Sequence, residues 1–527
     1  MRYRWKVQGI FGAVFMLLLA SCQPIQLTVV PQPPTATPGS TDIQPDDALP
    51  ILSSADAIAA CDPEFQAKAL RPDRIPDWDT LGVDTCYDLV FDLTSGSETY
   101  QGSAAITFTN PGKTALNEIV LRTFPNAPLL FGGGMEITSA RASGESLAIE
   151  VFLEDQSAVR LPLKIPLMPG ESIQLQLEFN GWLPVDFERD WIYGTYHYAS
   201  DGPVVMLANA YPMLAPLVNG QWQASPVLVE GDAVVSSTAL YRAQVQVPTG
   251  WQVAASGREV TREETPSQIS ISIAGGPLRD FMLAASPALI LREAEWGGMR
   301  VNHWGLPRTE RYWDEAIDVA KTSLDLFEET FGPLPYNELD IIAAPLKNAS
   351  GVEYPGLILL GETLYNSGSV PHLLPSVTAH EVAHQWWYAV VGNDVLEYPW
   401  QDEALATFSA QFYEMVNDQN FYFGALENYK LRVETLEAAS GEQAVSQSVA
   451  DFSDNPQAYA TVVYHKGYLF LEELRSQIGE QAFNAALQNY YQNNLYRLAP
   501  PAALLDSFET ACNCELDELY NEWGVNP

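Results

Sequence analysis

The chain has 527 residues, 47% of them apolar, which suits two or three domains with packed cores rather than a disordered polymer. Its 66 acidic and 27 basic residues leave a formal net charge of -39. Such a surface repels nucleic acid and anionic lipid, and reads as a well-solvated exterior that can attract cationic substrates.

Arg2, Arg4 and Lys6 precede a short apolar run, Gly9 to Ala20. The run is too short for a comfortable membrane span and has the layout of an export signal, so residues 1–21 are expected to be a signal peptide. Leu19-Ala20-Ser21-Cys22 resembles the lipobox of bacterial lipoproteins. The resemblance implies cleavage before Cys22, acylation of its thiol, and an extracytoplasmic location anchored by lipid to a bacterial cell membrane. Residues 22–60 contain Pro31-Gln32-Pro33-Pro34-Thr35-Ala36-Thr37-Pro38 and are expected to form a stiff, extended tether.

Four further cysteines, Cys61, Cys86, Cys512 and Cys514, meet an oxidising compartment in an exported protein. Cys61 is expected to pair with Cys86. Cys512 and Cys514 are so close that a bridge between them is expected to be strained. Neither pair has zinc-site spacing.

Between about 85 and 300 the apolar residues recur with period two. Ile173, Leu175, Leu177 and Phe179 alternate with polar neighbours, as do Ala243, Val245 and Val247, and Ile269, Ile271 and Ile273. Turn clusters such as Asn110-Pro111-Gly112 separate the runs. The pattern predicts antiparallel strands with one wet face, built into a β-sandwich or saddle-like domain over 61–305. Near 306 the period changes. Trp313, Ile317, Ala320, Leu324, Phe327 and Phe331 form a helical stripe that Gly332-Pro333 ends. Leu339 to Ala344 reads as a buried strand, and the chain from Pro375 onward as mostly helical, completing a second domain over 306–527.

The chemistry is concentrated in His380-Glu381-Val382-Ala383-His384. On a helix, histidines four apart share a face and can reach one metal ion. Ser376 is the expected N-cap and Gly392-Asn393 the expected end of that helix. Glu403 follows His384 after 18 intervening residues, early in the next helical stretch. Two imidazoles and one carboxylate leave a fourth position open, the arrangement of a catalytic zinc site. Glu381, one position along, is placed to take a proton from water. The remaining histidines His197, His303 and His372 have no partner at ligand spacing, and His465 has no assigned role. Trp386 and Trp387 are expected to pack the helix.

The stretch HEVAHQWW, the 18-residue spacer and WQDEALA resemble the M1 family of zinc aminopeptidases, of the gluzincin group. Rival groups fit worse. A metzincin would place a glycine and a third histidine where Trp387 and Val390 stand, and a thermolysin-type third-ligand segment would not carry Ala406-Thr407. Ser350-Gly351-Val352-Glu353-Tyr354-Pro355 resembles the family's Gly-x-Met-Glu-Asn strand, which implies that Glu353 binds the substrate's free α-amine. Val463-Tyr464-His465-Lys466-Gly467 resembles its Tyr-x-Lys-Gly segment, which implies that Tyr464 stabilises the oxyanion. The resemblance implies one Zn2+ held by His380, His384 and Glu403, with Glu381 as general base and peptides as substrates. It also implies a thermolysin-like, mostly helical catalytic domain after the β-sheet domain, in a short form without the family's large helical C-terminal domain. The expected activity is release of N-terminal residues from extracytoplasmic peptides. Alternatives are an endopeptidase with an open cleft, and a non-catalytic peptide-binding lipoprotein.

Overall fold

The computed structural model describes residues 61–127, 133–186, 195–228, 231–346, 349–366 and 373–526. The expected export signal, Cys22, the expected tether and His372 lie outside these residues.

The period-two runs become strands of an eight-stranded sheet. Its order is Arg258–Glu264, Gln268–Leu278, Ala239–Pro248, Thr85–Asp92, Thr99–Thr109, Ser172–Trp182, Gly134–Ala142 and Glu145–Ser146. Ile269, Ile271 and Ile273 are buried while Ser270 and Ser272 keep partial exposure, as alternation on a half-wet sheet requires. The sheet is antiparallel with one exception, because Thr85–Asp92 runs parallel to Ala239–Pro248. Parallel neighbours need a long crossover. Here the crossover, 93–238, itself supplies other strands of this sheet, all four strands of one smaller sheet and two strands of another.

A five-stranded sheet follows, in the order Ile290–Trp296, Met299–Gly305, Glu338–Ala344, Leu357–Gly361, Gly351–Tyr354. Met299–Gly305 pairs in parallel with Glu338–Ala344, so the change of period near 306 marks the start of a helical segment and not the edge of a sheet. That segment leads into helix Trp313–Phe331, whose buried stripe includes Trp313, Ala316, Ala320, Leu324, Phe327 and Phe331. Every residue of Glu338–Ala344 is buried, which explains its lack of alternation. Helices Leu373–Ala383, Trp400–Asn417, Gln419–Ser440, Gly467–Ile478, Glu480–Asn493 and Pro501–Cys512 pack beyond it. One hydrophobic cluster includes Phe91 and Phe179 of the strands together with Trp386 and Phe470 of the helical part. Among the described residues no helix is long and apolar enough to cross a membrane.

Two local expectations need correction. The motif helix begins at Leu373, so Ser376 lies inside it and not at its cap; Pro375 is tolerated because it falls in the first turn, where N–H groups lack helical partners. The same helix ends at Ala383, ahead of Gly392-Asn393, and Trp386 to Val391 fold into tight turns. Cys61 pairs with Cys86 as expected, with Cα atoms 5.6 Å apart. Cys512 is bridged to Cys514 as well. Asn513 between them takes a left-handed φ of 52°, which asparagine tolerates, and brings the Cα atoms to 5.2 Å.

His303 is structural. Its ring stacks on Trp313 at 4.6 Å, and Nε2 lies 2.7 Å from the Tyr365 hydroxyl. Burial pushes its pKa from 6.5 down to about 3. As pH falls through that window, the unfolded chain takes up a proton that the folded chain refuses, so stability is lost. His303→Gln removes this term. Between about pH 7 and about pH 5, wild type is expected to lose roughly 2 kcal/mol more than the variant. Denaturant titration at each pH measures it, and parallel losses would contradict the assignment.

Candidate active site

The motif helix carries His380 and Glu381, and His384 follows directly after its last residue, Ala383. Helix Trp400–Asn417 packs against it and presents Glu403 from its first turn. The four-residue spacing puts both imidazoles on one side, with ring centres 4.7 Å apart. His380 Nε2 lies 3.1 Å from His384 Nε2 and 3.1 Å from Glu403 Oε2, and His384 Nε2 lies 3.5 Å from the same oxygen. On the far side of its ring, His384 Nδ1 is 2.9 Å from the Trp387 carbonyl. A carbonyl can only accept, so Nδ1 carries a proton and Nε2 is the nitrogen left to face the cluster.

Without a metal ion, the electrostatics of the three donors differ from one to the next. Burial pushes the His380 pKa down and outweighs Glu403, keeping that imidazole neutral. Burial also opposes charge on His384, but Glu353, Glu403 and Glu381 around it outweigh burial and raise its pKa well above the ordinary value. For Glu403, burial works upward, yet hydrogen bonds from both histidines hold its carboxyl far below the usual range. It is therefore an anion facing two nitrogen donors.

Glu381 is buried, and its Oε2 has no hydrogen-bond partner among the described residues. Its side chain lies against Gly351, where a Cβ would come within 2.1 Å of Oε1. Burial, then the nearby Glu353, pushes the Glu381 pKa well up. Glu353 sits on Gly351–Tyr354, the edge strand of the five-stranded sheet. One ligand atom each from Glu353, Glu381 and His384 lies within 4.8 Å of the others, as for His380, His384 and Glu403. Tyr464 comes from a π-helical turn, Thr461–Lys466. Its hydroxyl donates to Glu403 Oε1 and its ring stacks on His380. The structure thus brings together all six residues singled out in the catalytic part. His465 is apart, stacked on Tyr429 at 4.3 Å. His197 lies buried in the strand Tyr196–Ala199.

Three neighbours escape a sequence reading. Asp232, from the irregular segment that precedes strand Ala239–Pro248 of the large sheet, hydrogen-bonds Glu353, and burial followed by Glu353 raises its pKa well above the normal value. Asp402 accepts from Asn393 Nδ2 at 3.2 Å, and burial, then Glu403, lifts its pKa to about 8. Gln385 receives the Gly356 N–H at 2.8 Å and donates to the Tyr354 carbonyl at 3.1 Å, fastening the edge strand to the motif turn. Asp402 and Gln385 adjoin motif residues, which was an available signal; Asp232 offered none.

Two imidazole nitrogens and a carboxylate oxygen, converging with one imidazole already fixed in the ligating tautomer, fit a zinc ion. Set against the edge strand of a mixed sheet, they form a His/His/Glu donor set with Glu381 beside it. Residues 315–523 match the peptidase family M1 domain. Aminopeptidase 2 of Candida albicans is 22% identical over 464 residues, covering 84% of this chain and 46% of that protein. Aminopeptidase M1 of Arabidopsis thaliana is 27% identical over 221 residues, 40% of this chain and 25% of its own length. The chain therefore spans half or less of the length of these relatives. The M1 zinc metallopeptidase of Deinococcus radiodurans shares the fold at a TM-score of 0.61 and 20% identity, over 84% of this chain and 94% of that one.

Metal analysis is expected to find about one zinc per chain. His384→Ala should weaken zinc by more than about 100-fold in a chelator competition, since loss of an outer partner alone costs about 10–100-fold. Unchanged affinity would remove His384 from the ligand set.

Proposed function

We propose that the protein is a zinc-dependent aminopeptidase that releases N-terminal residues from peptides. The observation that carries this reading is Glu353. A buried carboxyl on an edge strand, grouped with Glu381 and His384 beside the metal donors, is placed to hold an ammonium about one residue from the reacting carbonyl. Aminopeptidase relatives covering the catalytic part support it.

A zinc ion held by His380, His384 and Glu403 supplies a Lewis acid for the carbonyl and for water. Glu381 Oε2, which has no hydrogen-bond partner among the described residues, accepts the proton of the attacking water and returns it to the leaving amine. The Tyr464 hydroxyl exchanges Glu403 for the developing oxyanion, so its donor is used where charge appears. Glu353, whose pKa is raised by burial, regains its charge when an ammonium arrives beside it. The free edge of Gly351–Tyr354 offers main-chain groups to an extended peptide. We also propose that the chain acts outside the cytoplasm, anchored through acylated Cys22, on the strength of its basic start, apolar run and lipobox-like segment.

Chelator should abolish hydrolysis of aminoacyl anilides, and zinc should restore it. Glu381→Gln should keep zinc while lowering kcat by about 1,000-fold, within the usual range for a general base. Retained turnover in that variant would refute the mechanism, and equal cleavage of free and N-acetylated peptides would make the enzyme an endopeptidase. For the anchor, Cys22→Ser should shift the protein from the membrane to the soluble fraction in a lipoprotein-processing bacterial host. An unchanged partition would overturn that assignment.

A further inference from the structure

Tyr388 has a φ of 145°, a region that bulky L residues rarely enter. Such a conformation persists when its surroundings over-determine it, and here three contacts do so. Its N–H donates to the Val391 carbonyl at 2.9 Å. Its carbonyl accepts from Arg279 Nε at 2.8 Å. Its hydroxyl donates to Asp280 Oδ2 at 2.5 Å. Two of the three come from one dipeptide of the sheet part, at the junction of Gln268–Leu278 and Met282–Ser286.

That dipeptide is itself fixed. Arg279 and Asp280 are both buried. Arg279 Nη1 donates to the Ser236 carbonyl at 2.8 Å and Nη2 to the Arg497 carbonyl at 3.3 Å, while Ser236 Oγ donates to the Arg279 carbonyl at 2.8 Å. The guanidinium rests on Gly392, where a Cβ would approach its carbon to 2.2 Å. An arginine held this way cannot follow Tyr388 if Tyr388 relaxes.

The consequence lies one peptide upstream. Rotation about the N–Cα bond of Tyr388 sets the peptide plane that carries the Trp387 carbonyl, and that carbonyl is the partner of His384 Nδ1 at 2.9 Å. We propose that Arg279, Asp280 and Tyr388 are positioning residues for the metal site: they hold Tyr388 in its strained rotation and so aim the Trp387 carbonyl at His384, fixing that ligand's tautomer and ring angle. The sheet part thereby sets the zinc affinity of the helical part through main-chain geometry, without touching the metal donors. The inference rests on the zinc reading of the site.

The test uses the full chain and reads zinc affinity by chelator competition alongside the melting temperature of the apoprotein. Tyr388→Phe, which deletes only the hydroxyl, should raise the zinc Kd about 10-fold, as expected for loss of an outer-shell restraint, with little change in apoprotein melting. Tyr388→Gly adopts the same φ without strain but loses the anchor, so it should weaken zinc at least as much; it decides the question if the phenylalanine variant fails to fold. Asp280→Asn keeps an acceptor oxygen and should recover most of the affinity that Asp280→Ala loses. A lowered melting temperature with unchanged zinc Kd in Tyr388→Phe would make the contacts merely structural and overturn the proposal. A wild-type chain that binds no zinc would instead sink the zinc reading itself.

Discussion

The site is governed by a shortage of positive charge. Glu353, Glu381, Asp402, Glu403 and Asp232 interact with one another and with two imidazoles in a largely buried space. Like charges a few ångströms apart away from water cost several kcal/mol at an effective dielectric near 20. The cluster relieves that cost unevenly. Glu403, hydrogen-bonded by both histidines, keeps its charge, while the other four are pushed toward their neutral forms. Such a group of acids is complementary to cations: a dication among the donors of Glu403, and an ammonium near Glu353 and Asp232. The same crowding accounts for the elevated pKa of His384, the imidazole with three carboxylates around it.

Holding acids this close requires backbone approaches that side chains would block. Gly351 lets the Glu381 side chain lie against the edge strand. Gly467 brings its helix within 2.7 Å, measured from an added Cβ, of the Ala404 methyl. That approach is what lets Tyr464 reach the residue after Asp402. Gly392 accommodates the Arg279 guanidinium. At each of these points even alanine would push a site residue or its support aside, so the close packing and the charge cluster are two aspects of one arrangement.

What could be read in the sequence follows from the range of the interactions involved. His380, Glu381 and His384 announce themselves because helical periodicity alone puts two imidazoles on one face, and Glu403 because it opens the next helix. The half-wet strands are equally local: Ile269, Ile271 and Ile273 need nothing but alternation. Glu353 was reached through a degenerate motif, and its place at a sheet edge beside Glu381 emerges only when the five strands are assembled. Asp232, Arg279 and Asp280 were illegible because their partners, Glu353 and Tyr388, lie more than a hundred residues away along the chain. The parallel pairing of Thr85–Asp92 with Ala239–Pro248 is hidden for the same reason. The left-handed turn at Asn513 that accompanies the Cys512–Cys514 bridge is a conformational choice that spacing does not reveal.

The acid cluster also bears on how an aminopeptidase could select free N-termini. Enclosure is one means, since a roofed cleft admits chain ends alone. Charge is another, and it needs no roof. On the proposed reading, a free α-ammonium entering beside Glu353 lets that buried carboxyl ionise at little cost, whereas a blocked or internal peptide brings an uncharged amide to a partner whose ionisation burial already opposes. Asp232 strengthens this contrast, because its hydrogen bond with Glu353 gives an incoming ammonium two acceptors in place of one. Selectivity of this kind comes from the free energy of charging the pair and not from the shape of the cleft. It therefore resides in residues contributed by both parts of the chain, one on the edge strand and one in the irregular segment that leads back into the large sheet.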